Sequence, residues 1–437
     1  TAGIWRLSNG QWNLFAQGLF DSLGVQVEDK HGLKVVAGQK PELTRITDTT
    51  GDGIADSYET MTDAFSYHGN YHSYMHGPVR AADGSYFITL NLDDGTGQNW
   101  EYNANGKYMG TSGGFRGWAV HVPAKGGFEP FANGLRSPAG LGFGPDGKLY
   151  YLDNQGEYNG TSELYELKKD KFYGHPAGLV DLPGMTPDSP EIQWDVVASR
   201  REQPIALFPE NRLANSPGNP VWQLPANKFG PFAGQMFVGD QTQSNLMRVT
   251  TEKVGDHVQG SIINFAVDLE SGPMRPIFLP DSSLLIGEVG RGWQSKGGHI
   301  ASLQRIIWDG KTVPPAIHHV SAAPGGFDLV FTLPIPAAVD DAAFLKDLKI
   351  QSWVYRNAPD YGSPELDDHA EDIKVASISQ DRKTVRVTLV KTEQPVLQPN
   401  QTPRVYRITV DGKPIFGDNI GPGFEAFYTL YGFPKEK

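Results

Sequence analysis

Leu141-Gly-Phe-Gly-Pro-Asp-Gly-Lys-Leu-Tyr-Tyr-Leu152 decides the fold. Two short apolar runs flank Gly144-Pro-Asp-Gly147, where proline presets one φ and glycine supplies the positive φ of a tight reversal. The segment predicts strand, turn and returning strand. Ala82-Asp-Gly-Ser-Tyr-Phe-Ile-Thr-Leu90 and Leu279-Pro-Asp-Ser-Ser-Leu-Leu-Ile-Gly287 have the same style. Upstream, Phe131-Ala-Asn-Gly-Leu135 aligns without gaps on Phe15-Ala-Gln-Gly-Leu19, putting Gly140 on Gly24 and Leu149 on Leu33, and Phe265-Ala-Val-Asp-Leu269 is a third copy. Strand-turn-strand units repeating along a chain predict an all-β propeller, and six blades are expected.

Composition agrees. The 437 residues include 51 Gly, 32 Pro, 22 Phe, 17 Tyr and 9 Trp, the mixture of many short aromatic strands and tight turns. The formal charge of −12 is scattered, which disfavours nucleic acid and anionic membranes as partners. With no cysteine, disulfides, thiolate metal sites, a cysteine nucleophile and covalent haem attachment are excluded. No apolar run reaches the length of a spanning helix.

After Val313-Pro-Pro315 the texture changes to alternating strands such as Phe327-Asp-Leu-Val-Phe331 and Arg404-Val-Tyr-Arg-Ile-Thr-Val410. The expected organisation is a propeller over residues 1–313 and an immunoglobulin- or fibronectin-like β-sandwich over 314–437. Lys168 to Pro220, rich in Pro, Gly and charge, is expected to be a long surface excursion.

Asp48-Thr-Thr-Gly-Asp-Gly-Ile-Ala-Asp-Ser-Tyr-Glu59 follows the twelve-position calcium loop. Asp48, Asp52, Asp56 and Glu59 fall at positions one, five, nine and twelve, Thr50 stands at position three, and the Ile54 carbonyl at seven. Carboxylates converging on one loop need a cation, so calcium is expected there; an acidic solvated turn is the alternative. His68, His72 and His76 recur every fourth residue, but Gly69, Gly77 and Pro78 make this a loop, where helical spacing carries no zinc signal. A histidine acting as general base is the better functional reading; the alternative, a structural role satisfying buried polar groups, applies most comfortably to His68 and His76. No G-x-S-x-G elbow is present, and Gly110-Thr-Ser-Gly-Gly114 reads as a flexible turn.

The run Gly134-Leu-Arg-Ser-Pro-Ala-Gly-Leu-Gly-Phe-Gly-Pro-Asp-Gly-Lys-Leu-Tyr150, with Asp153-Asn-Gln-Gly156, Ser162-Glu-Leu164 and Phe172-Tyr-Gly-His-Pro176, resembles the glucose/sorbosone dehydrogenase superfamily, six-bladed propellers related to soluble pyrroloquinoline-quinone (PQQ) sugar dehydrogenases. Lys40-Pro-Glu-Leu-Thr-Arg45, Asn70-Tyr-His72, Arg116-Gly-Trp118 and Gly230-Pro-Phe-Ala-Gly-Gln-Met-Phe-Val-Gly-Asp240 are similar to bacterial dehydrogenase-like propellers often fused to cytochrome c or cupredoxin modules. The resemblance implies His72 as proton-abstracting base and Arg136 as the arginine contacting quinone and substrate. It implies Gln155 and Gly156 as the loop holding the cofactor's calcium, with Arg291 and Lys296 as candidate quinone contacts. Ser137 and His175 depart from its usual Asn and Trp.

The leading expectation is a PQQ-type sugar oxidoreductase in the periplasm or outside the cell. Carbohydrate is the substrate, calcium and PQQ are the cofactors, and an electron-acceptor module is the partner; Tyr74, His76, Arg116, Trp118 and Trp293 are substrate contacts. A carbohydrate lyase or hydrolase using His72 with Tyr74 or Tyr71 is an alternative. So is a glycan-binding propeller stacking sugars on Trp118, Trp222 and Trp293.

Overall fold

The computed structural model describes every residue except 1–2, 69–71, 94–108, 112, 225–227, 291–293, 392–393, 399, 419 and 437. The described chain is nearly all β. It divides into two compact units, Thr1–Phe143 with Leu167–Glu202, and Gly144–Glu166 with Gln203–Lys437.

In the first unit the hairpin Gly3–Ser8/Gln11–Gln17 precedes two antiparallel four-stranded meanders. One runs through Gly24–Val27, Lys34–Gly38, Leu43–Thr47 and Ser57–Thr62, the other through Met75–Arg80, Tyr86–Leu90, Trp118–Val122 and Glu129–Asn133. Each has the form of a propeller blade. Alternating apolar residues give each meander a buried face; Val36, Leu43, Met61, Met75, Ile88, Leu90 and Val120 form one core between the two. The first strands of the two meanders meet so closely that a Cβ on Gly24 would lie 2.0 Å from the Gly77 carbonyl oxygen. Only glycine fits there.

The repeat has a definite structural meaning. Each copy begins in a strand of one sheet and leads into the first strand of the next: Gln11–Gln17 to Gly24–Val27, Glu129–Asn133 to Pro138–Phe143, and His257–Ala266 to Pro273–Phe278. It marks the crossing between sheets rather than a hairpin within one.

Residues 167–202 are no loose excursion. Leu179, Ile192 and Val197 are buried with Leu92, Met109 and Phe172, and the short 3-10 turn Pro176–Asp181 is capped by His175. Pro176 at its first position needs no N–H partner. This packing is supplied by scattered apolar residues that carry neither helical nor strand periodicity, which is why their burial is absent from the sequence pattern.

In the second unit Pro217–Trp222, Met236–Asp240, Asn245–Val254 and His257–Ala266 form a further meander. His257–Ala266 also pairs with Glu425–Leu430, so that this sheet continues through Arg404–Val410, Leu348–Val354 and Leu366–Ala370 to eight strands. A second sheet of Ile317–Ala323, Gly326–Phe331, Thr384–Leu389 and Ile373–Ile378 shares a core with its C-terminal strands through Phe327, Leu329, Val385, Val387, Ile408 and Tyr428. Pro273–Phe278, Leu284–Val289 and Ala301–Ile306 form a three-stranded sheet. Among the described residues no helix is long and apolar enough to cross a membrane.

Candidate functional site

The site lies in the first unit, where the chain enters Met75–Arg80 and leaves Tyr86–Leu90. Backbone bonds tie its segments together. Tyr74 N donates to the His72 carbonyl, Asn91 N to Tyr74 O, and Leu92 N to Arg136 O. Asn91 Nδ2 donates to Ser137 Oγ at 3.1 Å, while the buried Asn91 Oδ1 has no partner among the described residues. His72 and Arg136 are therefore brought to the same end of the meander.

Asp93 is wholly buried, and its carboxylate is joined to His68 Nδ1 by a short contact. The His68 side chain remains about a third open to solvent, at 30%. A buried carboxylate holding an accessible imidazole fixes the orientation of the ring. Sequence does not mark the two as a pair: His68 suits a structural role, and Asp93 stands apart by 25 residues with no local motif around it.

Arg116, expected to contact substrate, is buried and holds three carbonyls. Nε donates to Asn91 O at 2.7 Å, Nη2 to Tyr74 O at 2.6 Å and Nη1 to Ser66 O at 3.3 Å. Burial pulls its pKa down to about 10, partly offset by the charge of Asp93. The physical reason for the correction is that a guanidinium with five donors can fasten several chain ends at once, and here it fastens the segments that carry His68, Tyr74 and Asp93.

Trp118 is likewise buried, its indole N–H donating to Gly178 O at 2.7 Å and its ring edge-on to Phe115. His76 is buried on its strand with its ring 5.8 Å from that of Tyr74. Both are corrections to substrate-contact expectations, because inward-facing strand positions bury whatever occupies them. Gly113-Gly114 is not a flexible turn: Gly114 N and Phe115 N donate to the two Asp181 carboxylate oxygens at 2.7 and 2.9 Å. Burial raises the Asp181 carboxyl and these bonds oppose the rise.

Behind Arg136, His175 is fully buried and accepts from Ala177 N at Nδ1. Burial, then the Arg136 charge, holds its pKa well below the usual imidazole value, so it is neutral.

The calcium loop takes another course. Asp48 accepts from the N–H groups of Thr50, Gly51 and Gly53, and Asp52 from Ile54 N. Asp56 accepts from Thr49, and Glu59 reaches Arg45. Burial would raise the Asp48 carboxyl, but bonds from Gly53, Gly51 and Thr50 hold it below the ordinary range. Among the described residues no group of three or more His, Asp or Glu side chains is gathered for a metal. The expected ligands Asp48, Thr50, Asp52, Ile54, Asp56 and Glu59 thus lie in a turn whose carboxylates accept from its own N–H groups and from Arg45.

The second unit holds the residues expected to seat the quinone. Gln155 Nε2 donates to Gly160 O at 3.1 Å, and Gly156 O accepts from Asn159 N and from Gly362 N. A Cβ on Gly362 would lie 2.8 Å from Gln155 Cδ. Segment 357–363 thus packs on this loop and takes up the Gly156 carbonyl. Lys296 is exposed, its N–H bonded to Thr242 O. Arg291 and Trp293, like Tyr71, lie outside the described residues. Trp222 packs half-buried against Tyr150 at 5.3 Å.

No family model matches the chain, and no curated protein matches it. Solved structures do. A putative oxidoreductase (glucose dehydrogenase) of Thermus thermophilus is 17% identical at a TM-score of 0.48, over 69% of this chain and 90% of its own. The PQQ-bound aldose sugar dehydrogenase of Streptomyces coelicolor is 13% identical at 0.46, over 68% and 84%. The soluble aldose sugar dehydrogenase of Escherichia coli is 14% identical at 0.44, over 69% and 88%. At these identities and TM-scores the likeness carries no argument about this chain's family or chemistry.

Proposed function

We propose that the protein is a carbohydrate-directed oxidoreductase whose general base is His68, oriented by Asp93. The observation that supports this reading is the pairing of a buried carboxylate with a solvent-accessible imidazole, at a corner that also holds His72, Tyr74 and Arg136. His68 takes the proton of a sugar hydroxyl, and the guanidinium of Arg136 stabilises the negative charge that develops on oxygen. Neutral His175 behind Arg136 adds no competing charge. Hydride from the same carbon leaves to a two-electron acceptor. The scaffold is read as a six-bladed propeller followed by a β-sandwich, working in the periplasm or outside the cell.

The test is reduction of a dye acceptor by the purified protein in the presence of neutral aldoses, with and without added PQQ and calcium. Sugar-dependent reduction is expected, falling by about a thousandfold in His68→Ala while thermal unfolding is unchanged. No sugar-dependent reduction under any of these conditions overturns the proposal; release of an unsaturated sugar without dye reduction would make the protein a lyase instead.

A further inference from the structure

Beside this corner lies a group of side chains with no part in the proton transfer. Phe20 and Tyr67 are 44% and 46% exposed, their ring centroids 6.0 Å apart and nearly perpendicular at 82°. Lys40 lies behind them, almost wholly buried, its Nζ 5.6 Å from the centroid of Phe20 and 5.6 Å from that of Tyr74. The same Nζ is ion-paired at 3.0 Å with Asp21, whose side chain is 52% exposed. The turn is firmly held: Phe20 N donates to Gln39 Oε1 at 2.8 Å and Lys40 N to Phe20 O at 3.1 Å. Asp21 sits at φ +47, a left-handed conformation uncommon outside glycine.

We propose that Phe20, Asp21 and Tyr67 form a sugar-stacking subsite that takes a neutral pyranose unit of an oligosaccharide, next to the unit presented to His68. This rests on the carbohydrate half of the function proposed above. A pyranose has an apolar face of C–H groups and a rim of hydroxyls. Exposed aromatic rings receive the first, and a carboxylate fixed in direction accepts hydrogen bonds from the second.

Burying a lysine behind the rings is otherwise costly, and here it does two things. It presses on the closed face of Phe20 as a cation over a π-system, and it pins the Asp21 carboxylate at the rim. The Lys40–Asp21 pair is charge-balanced and its outward member is the carboxylate, so a uronate is repelled and a neutral sugar is preferred. Position supplies the link to the reaction. Tyr67 immediately precedes His68, the Lys40 ammonium stands over the Tyr74 ring, and Arg116 fastens Ser66 and Tyr74 together. The platform and the base are therefore parts of one clamped loop pair.

The test is native affinity electrophoresis in gels containing barley β-glucan, galactomannan or polygalacturonate. Retardation by at least one neutral polysaccharide is expected, with none by polygalacturonate. The double variant Phe20→Ala/Tyr67→Ala should bind about fivefold more weakly or worse, Tyr67→Trp should retain binding, and Asp21→Asn should weaken it where the double variant does not fold. The subsite is overturned if no neutral polysaccharide retards the protein, if polygalacturonate retards it more strongly, or if the folded variants bind as the original does. Phe20- and Tyr67-dependent retardation without any dye reduction would sink the oxidoreductase reading and leave the subsite. Dye reduction by monosaccharides without retardation would do the reverse.

Discussion

The Asp48–Glu59 turn and the His68–Asp93 corner lie close in sequence, and both are built on carboxylates, yet they use them in opposite ways. In the turn, acidic side chains accept from N–H groups two to seven residues away, and Glu59 reaches Arg45. At the corner, a buried carboxylate is aimed at an imidazole open to solvent. The number of acids is therefore a poor guide to chemistry. The deciding feature is whether the partner is the chain's own backbone, which closes the local hydrogen bonds, or an accessible titratable ring, which leaves a proton to move.

The contrast can be broken hardest at Arg116. Arg116→Met removes the guanidinium donors to the Asn91, Tyr74 and Ser66 carbonyls. A destabilisation of about 2–4 kcal/mol is expected by urea unfolding, accompanied by loss of dye reduction, because the corner is held together by this side chain. Activity retained at full stability would show that the corner does not need the clamp.

A second comparison uses imidazoles without a buried carboxylate. His318 and His319 bond each other through Nδ1 at 2.7 Å, and His318 Nε2 lies 2.8 Å from Pro231 O, beside Arg248 and with Lys383 and Asp328 nearby. Burial, then His318 and Arg248, push His319 down to about 4, and burial also lowers His318. Both are thus neutral in the fold while the unfolded chain takes up protons near the ordinary imidazole value. Stability is complete above about pH 6.5 and is lost as pH falls toward 4, by about 1 kcal/mol for His319 at pH 5 after solvent screening. His318→Gln/His319→Gln should flatten the pH dependence of the urea midpoint between pH 5 and 7; an unchanged slope would contradict this.

The smallest effect is expected at the turn itself. Calcium or chelator should leave the thermal midpoint unchanged, whereas Asp48→Ala should lower it modestly, since its loss strands three N–H groups. A calcium-dependent rise that Asp48→Ala abolishes would restore the turn as a metal site.

Sequence is informative where chemistry is local. The Gly144-Pro-Asp-Gly147 turn closes as its residues require, with Gly147 N bonded to Gly144 O, and the strand texture follows alternation of apolar residues. The Phe15 and Phe131 repeat is legible, although its meaning as a sheet crossing needs strand pairing to be seen. At the site, the approach of His72 and Arg136 to one end of a meander can be anticipated, because both precede recognisable strands. The partnership of His68 with Asp93 cannot, since it depends on the way Arg116 draws distant segments together. Nor can the fate of Gln155 and Gly156, which is decided by residues some two hundred positions later, at Asn357 and Gly362.

The central claim is that Asp93 acts through His68. A double-mutant cycle on sugar-dependent dye reduction, with His68→Ala, Asp93→Asn and the pair, tests it directly. The account predicts that each single variant loses about a hundredfold or more in kcat with melting unchanged, and that the double variant is scarcely worse than His68→Ala alone. Losses that multiply, or a His68→Ala variant that turns over normally while His72→Ala does not, would contradict it.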